Sequence, residues 1–326
     1  MPHANRLKWR LPSVLMMFFV GMLFTTLPVC AQQAAVLEPR TKAKAEFPQK
    51  LVNWVPLAGN PIFTAAGPGH WDVKIRERGW VLREGDTYHL WFTGYDGTRD
   101  GIKLLGYATS PDGLKWTRSD KNPLVQDRWI EDMMVLKQDD TYYMFAEGRN
   151  DNHTEMLTSQ DRVNWKWEGA LDVRLADGKQ RVDDPCGTPT VWVENETWYL
   201  FYERLDLGVW LATTKDPLSR HWVNVQDEPV LSPGPAAYDK QMIAMDQVIQ
   251  QDGTYFAFYH GSGEAEPRTW NTNIARSTDL IHWQKYARNP LVEDNKSSGM
   301  VVPDGHGYRL YTMHNQIDVF SAPEPK

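Results

Sequence analysis

Short runs of alternating aromatic and β-branched residues, broken by Gly, Asp and Asn turns, fill the chain from about residue 50 onward. That alternation is the mark of half-buried strands, and no long stretch carries the 3.6-residue period of a helix. The runs also recur. The turn-plus-strand EGDTYHLWFTG returns as QDDTYYMFAEG, ENETWYLFYER, QDGTYFAFYHG and, degraded, GHGYRLYTMHN. The leading aromatics, Tyr88, Tyr142, Trp198, Tyr255 and Tyr308, stand 54, 56, 57 and 53 residues apart. A second element follows each of the first four (YATSPDGLKW, MLTSQDRVNW, LATTKDPLSRHW, IARSTDLIHW) and closes at Trp116, Trp165, Trp222 and Trp283. Units of this length, four strands each, predict an all-β fold, a five-bladed β-propeller.

The ends of the repeat predict how the ring closes. Trp116, Trp222 and Trp283 are each followed seven residues later by a proline, at Pro123, Pro229 and Pro290. Trp54 leads to Pro61 in the same way, while the fifth unit ends at QIDVFSAP without a closing Trp. Residues 51–57 are therefore expected to supply the outer strand of blade five, joining the termini and removing an open sheet edge. One domain, 51–326, follows.

Charge and composition narrow the setting. The formal net charge is −7, and the first 31 residues hold Arg6, Lys8 and Arg10 with no acid. An acidic body without a basic run argues against nucleic acid and anionic membranes as partners. Residues 1–31 combine that positive start with an apolar run and a VCA ending, the pattern of a secretory signal peptide. An uncleaved anchor and a lipidated Cys30 stay open as alternatives. Residues 32–50 read as a flexible leader, and the expected location is secreted or periplasmic. Beyond the signal only Cys186 is left, so no intramolecular disulfide can form in the mature chain. Fifteen Trp supply packing anchors or flat surfaces for stacking ligands.

Five units, TSPDGLKW-type turns, NPL linkers and a secretion signal together resemble the five-bladed glycosidases. The likeness is to glycoside hydrolase family 43, with the related families 32, 117 and 130. It implies a carbohydrate partner and an exported hydrolase removing terminal furanose, anhydro-sugar or pentose units from plant or algal glycans, with inversion. A carbohydrate-binding propeller without turnover and a mannoside phosphorylase are the alternatives. A monomer is expected, and no membrane contact beyond the signal.

Glycosyl transfer to water needs one acid for the leaving oxygen and one base or nucleophile opposite. In a propeller the first strand of each blade lines the shaft, so acids just before each turn are candidates. These are Asp72 in GHWDVKIRE, Glu131 and Asp132 in WIEDMMVL, Asp183 and Asp184 in RVDDPCGTP, and Asp246 in AMDQVIQ; blade five offers Ser297 and Ser298. The family resemblance implies Asp72 as base, Asp184 as the tuning acid and Asp246 in the acid's place. Asp246 departs from the Glu expected there, leaving Glu203 in FYERL and Asp132 or Glu131 as alternative acids. His70, Trp71, Trp129, Arg149, Arg204, His260 and Trp270 are candidate sugar-binding residues, and Arg78 and Arg268 are placed near the blade tops. Zinc spacing, a dinucleotide fingerprint and a serine elbow are absent from the sequence, so no cofactor is expected. His314 in TMHN, without an oxygen cluster in sequence, is poor support for a shaft calcium.

Overall fold

The computed structural model describes residues 46–149, 153–183, 185–266, 268–305 and 307–323. The signal and most of the leader lie outside them, as does Asp184. No described helix is long and apolar enough to cross a membrane.

Five antiparallel sheets form the five blades. Blade one runs through Lys74–Glu84, Thr87–Tyr95, Leu104–Ser110 and Thr117–Arg118, and blade two through Glu131–Gln138, Thr141–Glu147, Thr154–Ser159 and Lys166–Ala170. Blade three comprises Gly187–Glu194, Thr197–Glu203, Val209–Thr214 and His221–Asn224, with Asp172–Arg174 added in parallel at its edge. Blade four comprises Met242–Gln251, Thr254–Ser262, Asn271–Ser277 and Gln284–Lys285. Blade five joins Met300–Pro303, Tyr308–Met313 and Ile317–Ser321 to Val55–Pro56 from the other end of the chain. Val55 faces Ser321 and Pro56 faces Phe320, so the ring closes as the Trp54–Pro61 spacing predicts. The predicted strand is shorter than expected, because Gln49–Val52 forms a helical turn instead. That turn stands for blade five's missing closing element: Trp54 donates its indole N–H to Leu51 O, as Trp165 does to Arg162 O and Trp283 to Leu280 O. Phe47 also belongs to the packed body, edge-on to Phe256.

The repeated residues explain the packing. In blades one, two and four, Ser110, Ser159 and Ser277 cap the turn, and Asp112, Asp161 and Asp279 accept backbone N–H groups two and three residues on. In blades two, three and four the Trp that ends the turn packs on the preceding blade. Trp165 meets Trp91 at 6.2 Å, Trp222 meets Phe145 at 6.0 Å and Trp283 meets Phe201 at 6.0 Å. The Asn of the Asn–Pro linkers works as a one-residue strand. Asn122 exchanges two bonds with the Tyr107 backbone, Asn289 with Ile274 and Asn60 with Val319.

The inner strands are irregular, and that irregularity builds the shaft. Pairing slips between Arg76 and Trp80, Glu131 and Met134, Gly187 and Thr190, and Met245 and Gln247. Within three of these bulges Glu77, Asp132 and Thr188 adopt left-handed backbone angles, φ 48°, 44° and 42°. Bulges re-aim side chains and leave carbonyls without ladder partners. Arg78 collects them. Its fully buried guanidinium reaches Asp132 O at 2.7 Å, Thr190 Oγ1 at 2.8 Å and Asp246 O at 3.1 Å, and also bonds Pro189 O. Its own amide donates to Asp132 Oδ1 at 3.0 Å. The placement of Arg78 near a blade top is thus corrected: this side chain crosses the shaft and ties blade one to blades two, three and four.

Replacing a buried cation whose two terminal nitrogens are both bonded leaves several carbonyls unpaired. Arg78→Met is expected to lower unfolding free energy by about 3–5 kcal/mol in denaturant titration. A loss below about 1 kcal/mol, the scale of a surface ion pair, would contradict this role.

Candidate active site

A cavity of about 190 Å³ opens above Arg78, and its acidic lining consists of Glu77, Asp132, Glu147, Glu203 and Asp206. Arg76, His260, Arg268, Trp270, Thr188, His314, Ser297 and Ser298 complete it. Two repeats of the fold aim these groups. The inner-strand bulges present Glu77, Asp132 and Thr188. The ends of the second strands present Glu147, Glu203 and His260, each five residues after its leading aromatic. The same position is Thr93 in blade one and Met313 in blade five. Consecutive blades thus contribute an acid, an acid and an imidazole at one height.

Glu147 and Glu203 approach each other over Gly187. A Cβ there would lie 2.0 Å from Glu203 Oε1 and 2.7 Å from Glu147 Oε1, so these oxygens are no further apart than the two legs together allow. Only a residue without a side chain lets both carboxyls converge. Thr188 steadies Glu147 from the neighbouring bulge through its amide and hydroxyl, and the Asp206 amide donates to Glu203. Asp206 follows Leu205 in a turn with both residues left-handed.

This crowding sets the protonation states. Burial, reinforced by Glu77, pushes Asp132 up to about 7. Burial, then the Asp206 charge, pushes Glu203 up to about 8, and burial with the Asp132 and Glu203 charges holds Glu147 well above the carboxylate range. His260 goes the other way from a buried imidazole. Burial favours its neutral form, but Asp246 outweighs this, its Oδ1 lying 2.7 Å from Nδ1, and His260 rises to about 9. A charged His260 therefore faces the acids at neutral pH. Its ring meets Trp270 edge-on at 4.9 Å.

The expected site residues distribute unevenly. Asp132, Glu203, His260 and Trp270 line the cavity. Asp246 is fully buried behind His260, which it orients and keeps charged. Glu131 is buried beside Asp132, pairs with Arg76 and accepts the Trp129 indole N–H at 2.8 Å. Burial, then the Asp132 charge, raises Glu131 to about 7. Lys103 at 4.4 Å and Arg149 at 5.7 Å from the Trp129 ring centroid lie against that indole. Asp72 is not where the counting placed it. It precedes the inner strand, is buried against Arg118 at 3.1 Å and is not part of the cavity lining, where Glu77 is the acid of blade one. Trp71 stacks on Phe92 at 5.7 Å, His70 sits in an exposed turn and Arg204 lies over Trp210 at 4.8 Å. None of these three lines the cavity. Arg268 reaches Asp206 at 3.5 Å. Glu77, Glu147, Asp206 and Arg76 were not singled out from sequence. Glu147 could have been, since it occupies the position of Glu203 and His260 in its own repeat.

Oxygen atoms of Glu77, Glu131 and Asp132 lie within 4.8 Å of one another, a set that could ligate a hard cation. Arg76 pairs with both Glu77 and Glu131, so a guanidinium already supplies positive charge to two members.

No family model matches the chain. It is 23% identical over 226 residues to a 1,2-beta-oligomannan phosphorylase of Thermoanaerobacter sp. (strain X514), covering 64% of this chain and 71% of that protein. Its fold matches a beta-1,2-mannobiose phosphorylase from Listeria innocua, solved with beta-1,2-mannobiose, at TM-score 0.65 and 14% identity, covering 82% and 96% of the two chains. The fold is that of the five-bladed propeller glycosidases and phosphorylases. A further structure, from the family 130 mannoside phosphorylases, matches at TM-score 0.65 and 14% identity over 85% of this chain and 96% of its own. That family contains glycoside hydrolases targeting beta-1,2 mannosidic linkages in Candida mannan. The expected likeness to family 43 is carried no further than this shared fold.

Asp132, Glu131 and Glu203 have folded-state values above their unfolded ones, so their contribution is complete below about 4 and is lost as pH rises through 7 to 8. His260 contributes fully below about 6.5 and loses this as pH rises through about 9. The thermal midpoint is therefore expected to fall from pH 5 to pH 9; a flat or rising profile would contradict the assigned protonation.

Proposed function

We propose that this protein is a glycoside hydrolase acting on β-mannosides, with Asp132 as proton donor and the Glu147–Glu203 pair as general base. The observation that carries the reading is the acidic cavity, in which five carboxyls share the space with Arg76, Arg268 and His260. A mannoside, not the terminal furanose, anhydro-sugar or pentose implied by the resemblance to family 43, is supported by relatives named for mannan and mannobiose.

The mechanism uses the protonation states above. Asp132, at about 7, retains a proton for the glycosidic oxygen over much of the neutral range. Two carboxyls converging over one glycine cannot both ionise cheaply, so one keeps its proton while the pair, with Glu203 at about 8, yields a single carboxylate for a water as pH rises toward 8. As the C1–O bond breaks, Asp132 protonates the departing oxygen. The water's oxygen bonds to C1 from the opposite face while the Glu pair takes its proton, giving inversion. One water is consumed, and solvent exchange returns the donor and the base to their starting states. His260, held charged by Asp246, offsets negative charge among the acids. If residues 1–31 act as a signal peptide, the glycan is met outside the cytoplasm.

Phosphorolysis is the second reading, favoured by the relatives named as phosphorylases and by the three cationic groups of the cavity. Incubating β-1,2-mannobiose with the protein, with and without inorganic phosphate, separates the two. Hydrolysis yields mannose at equal rates in both; phosphate-dependent mannose 1-phosphate would replace it with the second reading. Asp132→Asn is expected to lower kcat/KM on mannobiose by about 10²–10⁴-fold and far less on a dinitrophenyl mannoside, whose leaving group needs no proton. Glu203→Gln should impair both substrates. Equal losses of Asp132→Asn on the two would remove Asp132 from the donor role.

A further inference from the structure

The strand pairing of the outer blade edge brings out one position that breaks the repeat. Arg118, Trp167, Asn224 and Lys285 occupy equivalent places, two residues after the closing Trp and opposite Ala108, Leu157, Ala212 and Ala275. In blades one, three and four this residue is an internal tie. Arg118 binds Asp72 and Thr64 O, Asn224 accepts the Tyr202 hydroxyl at 2.8 Å, and Lys285 binds Asp239 and the carbonyls of Ser232 and Gly234. In blade two it is Trp167, 46% exposed and the one exposed Trp, Tyr or Phe among the described residues.

An indole left in water loses the packing its neighbours gain, yet this one is held in place. Its N–H donates to Glu155 Oε2 at 3.0 Å, and the Arg128 guanidinium lies over the ring at 4.4 Å. Arg128 is itself fixed by Asp127 at 3.2 Å and Glu155 at 3.7 Å. The ring forms one wall of an open cleft of about 510 Å³, lined also by Leu124, Gln126, Asp127, Arg128 and Trp165.

We propose that this blade-two cleft is a second binding site, for a neutral glycan chain, separate from the cavity. A flat, pre-positioned indole, backed by the Arg128 guanidinium over its ring and flanked by carboxylate and amide groups, suits a pyranose, which offers a C–H face for stacking and hydroxyls around its rim. The choice of a glycan occupant rests on the proposed function and on the exposed indole surface of the cleft. Such a platform would retain a long chain while its end is processed, without touching the reacting bond.

The test uses native gel retardation in soluble yeast mannan, alongside cleavage of β-1,2-mannobiose, for the wild type and Trp167→Ala. Mannobiose cleavage should be unchanged in the variant, while its apparent affinity for mannan falls about tenfold, the scale of an aromatic contact. Equal retardation of both proteins, or cleavage by a wild type that mannan does not retard, overturns the platform. A wild type that is retarded through Trp167 but cleaves nothing keeps the platform and sinks the proposed hydrolysis. Loss of self-association with unchanged mannan affinity would make the cleft a subunit contact and also overturn the proposal.

Discussion

A single buried guanidinium organises the centre of this propeller. Inner strands that bulge toward a common axis expose carbonyls that no neighbouring strand can pair, and burying such groups unmet is costly. Arg78 meets them from blade one, bonding backbone of blades two, three and four, while its amide fixes one oxygen of Asp132. Desolvation alone would push a buried cation toward neutrality, and Arg78 is lowered for that reason, with Asp246 and Asp132 opposing the shift. The floor of the shaft and the acid above it are therefore one construction.

That construction determines the chemistry of the cavity. Acids held close together in little water cannot all be ionised at neutral pH. Asp132, Glu147 and Glu203 are all raised, while His260 is held protonated by a carboxylate that does not face the cavity. The result is a site storing several protons beside charged groups, suited to giving one and taking another in the same turnover. Gly187 is central to it, because any side chain there would occupy the space of the two Glu carboxyls.

Much of the fold was legible from the sequence because its repeat lies in residues that pack identically in each blade. The Ser–Asp turns of blades one, two and four repeat the same bonds, the Asn before Pro repeats its own, and the closing Trp of blades two, three and four repeats its ring contact. The ring closure at Trp54 was readable for the same reason. The site was only partly legible. Counting back along an ideal strand assumes strict alternation, and the bulges break it by one or two residues. Hence blade one contributes Glu77 where Asp72 was expected, and Asp246 lies one layer behind the wall. Arg78 reads from sequence as a blade-top cation because its partners are mostly carbonyls, which leave no trace in side-chain patterning. Glu147 was open to detection, since the repeat that revealed Glu203 and His260 also contains it.

The shaft carboxyls hold protons at neutral pH because the bulged strands bury them close to one another, which outweighs the opposing Arg78 charge beside Asp132. Carbon-13 NMR of aspartate and glutamate side-chain carboxyls, followed from pH 4 to 9, tests it most directly. The expected result is a carboxyl with its midpoint near 7 that disappears in Asp132→Asn, accompanied by Glu signals titrating well above the usual carboxylate range. A spectrum in which every carboxyl is ionised by about pH 5, as in exposed groups, would contradict the account.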